Sequence, residues 1–176
     1  MDITKVNLSC YIESLVSDSA DQATLGPKST LSVSLIDELT DGDGTDQANQ
    51  VYYDAQTVGA SATVTYDLAG SLEDIFGDTI TFLIIKGIII YNSSTAGIIN
   101  VGGGSDGAGT NAFDTWITST AADGSEAVIV QPGGIHCLWA PGTGYVVTAG
   151  TGDLLGIEET AAEDCTIQVG IIGEVA

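Results

Sequence analysis

Alternating apolar and polar residues at the start of the chain predict two β-strands. Residues 6–13 and 31–35 both place an apolar side chain at every second position. Successive side chains of a strand point to opposite faces, so this period of two is typical of a strand with one buried face. A polar connection, "SDSADQATLGPK", separates the two stretches. Residues 1–45 therefore predict either an N-terminal arm or an edge hairpin.

Short apolar stretches recur through the rest of the chain, with turns rich in Gly and Pro between them. Strands at intervals of about 8–12 residues with such turns are typical of a β-sandwich or jelly roll. Residues 46–176 therefore predict one all-β domain of this kind. The predicted strands are "NQVYYDAQTV", "SATVTYDLA", residues 79–91, "GIINV", a short strand at 112–117, "EAVIVQ", "IHCLWA", "GYVVTA", "DLLGIEE" and "CTIQVGIIG".

The stretch "SLEDIFG" predicts one short helical turn over residues 71–76. Ser71 is a suitable N-cap, Asp74 completes a pair resembling a capping box, and Gly77 ends the turn. The strand that follows contains an apolar run over residues 81–91, interrupted by Lys86 and a glycine. A membrane-spanning helix needs roughly 20 apolar residues. This run is too short, and its β-branched residues predict a strand buried on both faces.

Charge excludes two classes of partner. Three lysines, no arginine and 24 acidic residues give a net charge of −21. Nucleic-acid binding needs clustered Lys and Arg to displace counterions from phosphates. An anionic membrane surface is disfavoured for the same reason. The sequence predicts neither as a partner. It favours an acidic surface that keeps the protein soluble, and the alternative is an outward face that repels other acidic particles or meets a basic partner.

Candidate catalytic residues are few. His136 and Cys137 are neighbours in a predicted strand and point to opposite faces, so they do not form a catalytic dyad. The glycine motif at 102–107 precedes a loop and not the helix that a nucleotide phosphate needs. Cys10, Cys137 and Cys165 are an odd number, and buried thiols are favoured over one disulfide. The sequence predicts no enzyme and no cofactor.

Three acidic residues, Asp41, Asp43 and Asp46, lie close together in the loop "DGDGTD". Carboxylates at this spacing are a weak candidate for a Ca²⁺ site. The EF-hand pattern fails, because Tyr52 stands where its bidentate Glu belongs and no helices flank the loop. A solvated turn is favoured.

Two further features of the sequence each allow two interpretations. Lys86 lies in an apolar strand and predicts either pairing with an acid or a place at a boundary, more readily than a catalytic lysine. Phe113 and Trp116 lie in a loop-like segment beside the glycine motif. Large rings in such a setting are candidate partner contacts. The alternative is that both plug the end of the sandwich.

The stretch "DQANQVYYDAQTVGASATVTYDLAGSLEDIFGDTITFLIIKGI" resembles a family of virion proteins from tailed bacteriophages and prophages. "VIVQPGG" and "APGTGYVVTAGTGDLLGIEE" fit the same pattern in the same order. The likeness covers roughly residues 30–173, and Asp67 to Gly77 is its most specific part. Gln56 departs from the pattern, because an arginine is expected there. The first 30 residues match least.

The resemblance implies a head decoration (cement or minor capsid) protein without a catalytic site. Such a protein is a homotrimer on the outer capsid surface of the virion, and it bridges and stabilises major capsid protein subunits. The start of the chain has no apolar signal segment, which predicts synthesis in the host cytoplasm. The alternatives are another virion component, such as a head-fibre base, neck or tail protein, or a carbohydrate-binding attachment β-sandwich.

Overall fold

The computed structural model describes residues 6–17, 28–102, 111–117 and 127–175. These residues contain fourteen strands and no α-helix. All but one residue of the glycine motif at 102–107 lies outside them. In chain order the strands are β1 (Val6–Ser17), β2 (Lys28–Asp41), β3 (Gln47–Ala48), β4 (Gln50–Val58), β5 (Thr63–Asp67), β6 (Leu72–Glu73), β7 (Thr79–Ile80), β8 (Phe82–Asn92), β9 (Ile99–Gly102), β10 (Ala127–Val130), β11 (Ile135–Trp139), β12 (Tyr145–Val146), β13 (Leu154–Glu159) and β14 (Cys165–Val175).

Two antiparallel sheets form the body of the protein. One has the order β11-β8-β14-β4, with β12 also paired to β8, and the other has the order β10-β9-β13-β5. These two sheets contain eight strands if β11 and β12 are counted as one, because β6 and β7 pair separately. Numbered along the chain from β4, the eight strands have the orders 6-3-8-1 and 5-4-7-2. This is the strand order of a double-sheet jelly roll. The predicted all-β sandwich is therefore confirmed.

The core lies between the two sheets, and β-branched residues dominate it. Inward positions alternate along β8 and β14 and meet those of β9 and β13, as the period of two predicts. Each such side chain contributes roughly 1.5–3 kcal/mol when it is fully buried. The aliphatic residues with at most 1% exposure in these four strands are Ile85, Ile88, Ile90, Ile99, Val101, Leu155, Ile157, Ile167, Val169 and Ile171.

The long predicted strand at 79–91 is divided between β7 and β8. Its central part carries a glycine for a steric reason, since a Cβ at Gly87 would lie 2.6 Å from the Trp139 ring. Beyond Gly87, Ile89 faces away from the core and is 41% exposed. The prediction that this strand is buried on both faces is therefore wrong at its outward positions.

The helical turn predicted over residues 71–76 is also wrong. Residues 72–73 form β6, which pairs antiparallel with β7. The Asp74 carboxylate accepts hydrogen bonds from the backbone N–H groups of Phe76 (2.8 Å) and Asp78 (3.0 Å). An aspartate offers the same acceptor to a helix start and to a tight turn, and here the tight turn forms. Gly77 completes it with a φ of 86°.

The N-terminal strands β1 and β2 pair as a long antiparallel hairpin, and the end of β2 pairs in parallel with β3. The base of this hairpin packs on the sandwich. A second small core forms there from Leu39 and Ala48 with Ile172, and Val6, Val51 and Trp139 pack around it. The described residues of β1 and β2 thus pair with each other, while the assignment of residues 1–45 as an N-terminal arm or edge hairpin stays a prediction.

Candidate functional site

The turn between β6 and β7 presents two large apolar side chains to solvent. Ile75 is 84% exposed and Phe76 is 71% exposed. The turn is held by the two bonds to the Asp74 carboxylate, and the backbone N–H of Asp74 also donates to Asp78 O at 2.9 Å. A single exposed apolar residue is ordinary, but two adjacent ones on a fixed turn form a candidate contact site. We call residues 74–78 the apolar turn.

The apolar turn is anchored in the core on both sides. Leu72, before it, is buried, and Ile80, after it, is 1% exposed. The alternation that buries Leu72 turns Glu73 outward, and Asp78 is exposed on the other side of the turn. Two exposed acids therefore flank the apolar pair. This arrangement suits a partner with an apolar pocket whose rim is basic or neutral.

A second candidate surface lies on the outer side of the sheet β11-β8-β14-β4. Twelve adjacent outward positions on this side carry no charged side chain although the chain has a net charge of −21, and we call these twelve positions the uncharged face. The strand register arranges these positions in three rows of four. The first row is Trp139, Gly87, Ile172 and Val51, the second is Cys137, Ile89, Gly170 and Tyr53, and the third is Ile135, Tyr91, Gln168 and Ala55.

Two adjoining depressions follow the uncharged face. One, of about 160 Å³, lies between the first row and the base of β1, and its lining includes Leu8 and Trp139. The other, of about 240 Å³, lies over the second and third rows beside Tyr53 and Tyr91. Both are lined by Ile89 and Gly170, and Gly170 lowers the surface because it has no side chain. The lining is almost wholly apolar.

Lys86 is paired, as predicted. It is 2% exposed, and its Nζ lies 2.8 Å from Glu174 Oε1. The same ammonium donates to the carbonyl oxygens of Gly142 at 2.8 Å and Gly44 at 3.3 Å. These four groups tie two loops to the end of the sheet. The arrangement uses the charge of Lys86 for structure.

The weak calcium candidate at Asp41, Asp43 and Asp46 is not assembled. In the part of the chain that the structure describes, no three His, Cys, Asp or Glu side chains are grouped to hold a metal ion. The Gln47 side chain occupies the loop instead, and its Oε1 accepts from the Gly44 N–H at 3.0 Å. Gln47 thus holds this loop through the Gly44 N–H, and the solvated-turn interpretation stays a prediction.

Phe113 and Trp116 differ in position. Phe113 is fully buried in the main core, so it cannot contact a partner and the contact role predicted for it is wrong. Trp116 is half-buried against that core, and its Nε1 donates to Phe113 O at 3.0 Å. The predicted strand at 112–117 is a turn after an isolated bridge from Ala112 to Leu154. A contact role for Trp116 stays a prediction.

His136 and Cys137 point to opposite sides of β11, as predicted. The His136 ring stacks on Trp116 with ring centroids 5.1 Å apart, and burial lowers the pKa of His136. Cys137 faces outward and is exposed, so the expectation of buried thiols is wrong for it and confirmed for Cys165. The side chain of Cys10 lies outside the described part of the structure.

Gln56, where the family resemblance leads us to expect arginine, makes internal contacts. Its Nε2 donates to Asp54 Oδ2 at 2.8 Å and to the Tyr66 hydroxyl at 2.6 Å, and that hydroxyl donates to Asp54 at 3.0 Å. Burial and the nearby Asp54 carboxylate raise the pKa of both tyrosines of this cluster. The pKa of Tyr66 is raised above its usual value, and that of Tyr52 is raised to about 12. Gln56 thus completes a hydrogen-bonded cluster inside the protein.

Glu159 was not singled out by the sequence. Its side chain is buried, and its carboxylate accepts backbone N–H bonds from Ser61 at 2.8 Å and Ala161 at 2.6 Å. Burial alone would raise the pKa of Glu159, but these bonds and those from Ala162 and Glu163 lower it below its usual value. The carboxylate holds the loop after β13 against the turn before β5.

We expect Glu159→Gln to destabilise the protein at pH 7, and we expect this destabilisation to become smaller as the pH falls below the usual pKa of a glutamate. The pKa of Glu159 is lower in the folded protein than in the unfolded chain. The ionised carboxylate therefore stabilises the fold fully at pH values above the unfolded pKa, and this stabilisation is lost as pH falls through the folded pKa. Urea unfolding at pH 7 and pH 3 measures the difference, with Glu163→Gln, an exposed acid, as the control. An equal destabilisation at both values would contradict this role of the carboxylate.

The described residues contain no helix long and apolar enough to cross a membrane. The surfaces that they do offer are an apolar turn and an uncharged sheet face, both suited to contacts with protein. Comparison with protein-family models, curated proteins and solved structures finds no match for this chain.

Proposed function

We propose that this protein is a structural component of a bacteriophage virion that decorates the outer surface of the capsid and bridges major capsid protein subunits. The observation that carries the proposal is the position of the apolar turn. Asp67 to Gly77 is the stretch that most resembles the phage family, and it ends in the exposed pair Ile75 and Phe76. The part of the chain most specific to the family thus forms a surface suited to binding another protein.

The charge of the chain supports an outer location. A net charge of −21 on a protein inside a capsid would face packaged nucleic acid, and the two would repel each other. On the outer surface the same charge keeps particles from sticking together. The exposed acids on either side of Ile75 and Phe76, Glu73 and Asp78, favour a capsid pocket with a basic or neutral rim.

A small contact such as the apolar turn is sufficient on a repeated lattice. An oligomer that binds several capsid subunits at once gains affinity because its second and later contacts are intramolecular. A ligand that prefers the assembled shell over free subunits stabilises that shell in proportion to its differential affinity. Decoration therefore requires repetition of contacts more than a large single interface.

The abundance of the protein in purified virions tests the proposal. We expect a copy number in a fixed ratio to the major capsid protein and of the same order, measured by quantitative mass spectrometry. A neck, tail or fibre-base component would instead be present at a small fraction of that ratio. Absence from the virion would overturn the proposal.

We expect Phe76→Asp to weaken binding to heads by about 30-fold or more, because buried aromatic anchors at interfaces contribute 2 kcal/mol or more. Co-sedimentation with heads assembled from the major capsid protein of the same phage measures this affinity. The matched control is Val146→Asp, which places the same charge at another position with an exposed apolar side chain. Equal binding by wild type and Phe76→Asp would show that the apolar turn does not face the capsid.

A further inference from the structure

The uncharged face already binds one hairpin, that of its own chain. Leu39 of β2 packs with Ile172 of the first row, and Val6 of β1 packs against the same small core. The Trp139 Nε1 donates to Asp37 Oδ2 of β2 at 2.8 Å, which fixes the hairpin at this edge. The first row is therefore covered by the base of the hairpin.

The second and third rows of the uncharged face are open. Ile135 is 66% exposed and Tyr53 is 62% exposed, while Ile89 between them is also exposed. The depression of about 240 Å³ lies over these rows and adjoins the one closed by β1. The open rows thus continue, without a charged residue, the surface on which the intramolecular hairpin packs.

The hairpin extends well beyond the part that packs at the first row. Nine of its twelve residue pairs lie beyond Leu8 and Asp37, and they run to Ser17 and Lys28. At about 3.4 Å per residue they extend for roughly 30 Å, which is more than the three rows of one sheet face. An isolated two-stranded hairpin is at best marginally stable in water, so an apolar surface to pack on would stabilise this extension.

The sequence of the extension suits such a surface. The apolar alternation of residues 6–13 reaches into it as far as Ile12, and β2 repeats the alternation at residues 31–35. The register pairs Cys10 with Leu35 and Ile12 with Val33, so the apolar positions of the two strands oppose one another. Directly opposite residues of an antiparallel pair share a face. By register, this face is the one that carries Val6 at the base.

Charge favours a second copy of the chain as the source of this hairpin. Two molecules that each carry a net charge of −21 repel one another over most of their surfaces. They approach closely with least electrostatic cost where neither presents a carboxylate, and the uncharged face meets that condition. The apolar positions of the hairpin meet it as well.

We propose that the second and third rows of the uncharged face bind the β1–β2 hairpin of a second copy of this chain. The contact joins two different surfaces, so each molecule offers one hairpin and one face and the assembly closes as a ring or extends as a chain. This inference does not rest on the capsid role. It is measured on the purified protein alone, so its failure is distinguishable from the failure of the proposed function.

Sedimentation equilibrium of the purified protein tests the inference. We expect wild type to be oligomeric and Ile135→Asp to weaken association about 100-fold or more, because it places a charge in the apolar contact. The matched control is Ile129→Asp, which makes the same change at a 62% exposed position on the opposite sheet. A monomeric wild type, or equal association of Ile135→Asp and wild type, would overturn the proposal.

A second variant identifies the occupant. Replacing residues 10–35 by an Asn-Gly turn shortens the hairpin and keeps its base, and we expect this variant to be monomeric. Ile12→Asp, a point change within the extension, serves the same purpose if the shortened chain does not fold. If the shortened variant still forms oligomers, the uncharged face binds something other than the hairpin. If the shortened variant does not fold, oligomers of Ile12→Asp would show the same.

A mixing experiment makes the test decisive. Ile135→Asp retains its hairpin but has a blocked face, while the shortened variant, or Ile12→Asp in its place, retains its face but has no competent hairpin. Together they have one working hairpin and one working face. We therefore expect the mixture to form a heterodimer and nothing larger. A mixture that stays monomeric would overturn the proposal.

Discussion

Replacing Glu174 by alanine is expected to destabilise the fold by about 3–5 kcal/mol, because it leaves the buried charge of Lys86 without its counter-ion. The Lys86 ammonium and the Glu174 carboxylate are 2.8 Å apart, and both side chains are almost fully buried. Lys86 retains its bonds to the carbonyl oxygens of Gly44 and Gly142 in this variant. Neutral carbonyl groups compensate a buried charge only in part. Urea unfolding at pH 7 measures the loss.

Two controls separate this effect from a general effect of removing acids. Glu73→Ala removes an exposed carboxylate, and we expect a change within about 0.5 kcal/mol. The double variant Lys86→Met with Glu174→Leu removes both charges, and apolar replacement of a buried ion pair is often neutral. We expect the double variant to recover much of the lost stability. The recovery is incomplete because the carbonyl oxygens of Gly44 and Gly142 lose the ammonium that donates to them. A loss below about 1 kcal/mol for Glu174→Ala alone would contradict the proposed role of the pair.

The strands of the sandwich were predictable because their signal is local. A short apolar stretch between turns, such as "DLLGIEE", or an alternation of apolar and polar residues, such as "CTIQVGIIG", depends only on the side chains within one strand. These stretches are β13 and β14 in the structure.

That Lys86 is paired with an acid was predictable, since a lysine in an apolar strand needs a counter-ion. Its partner Glu174 was not, because sequence pattern does not show which distant residue meets it.

The helical turn was wrongly predicted because its local chemistry is ambiguous. Asp74 is a good cap for a helix and an equally good acceptor for a tight turn. The choice is made by tertiary packing, since Leu72 and Ile80 are both buried when the chain turns back as a hairpin. The same limit applies to the uncharged face. Its three rows become visible only when the register of four strands is known.

The aromatic residues show why the candidate site was only partly predictable. Phe76 lies within a stretch that predicts a helical turn, and Phe113 lies within one that resembles an exposed loop. In the structure Phe76 is exposed and Phe113 is buried, so the contact role is wrong for Phe113 and the exposed ring lies at a position that the sequence did not single out. Composition and spacing do not decide which ring packs in a core. The two positions therefore form a natural pair for a comparison of burial.

Phe113→Ala is expected to destabilise the protein by about 3–5 kcal/mol, because it removes a fully buried ring and leaves a cavity between the sheets. The backbone N–H of Phe113 donates to Leu154 O at 2.8 Å, which keeps the empty site from closing by backbone movement. Phe76→Ala makes the same change at an exposed position, and we expect a change within about 0.5 kcal/mol. Urea unfolding of both variants at pH 7 measures the contrast. Similar losses for the two variants would mean that Phe76 also packs in the folded protein, and the apolar turn would then not be free to bind a capsid.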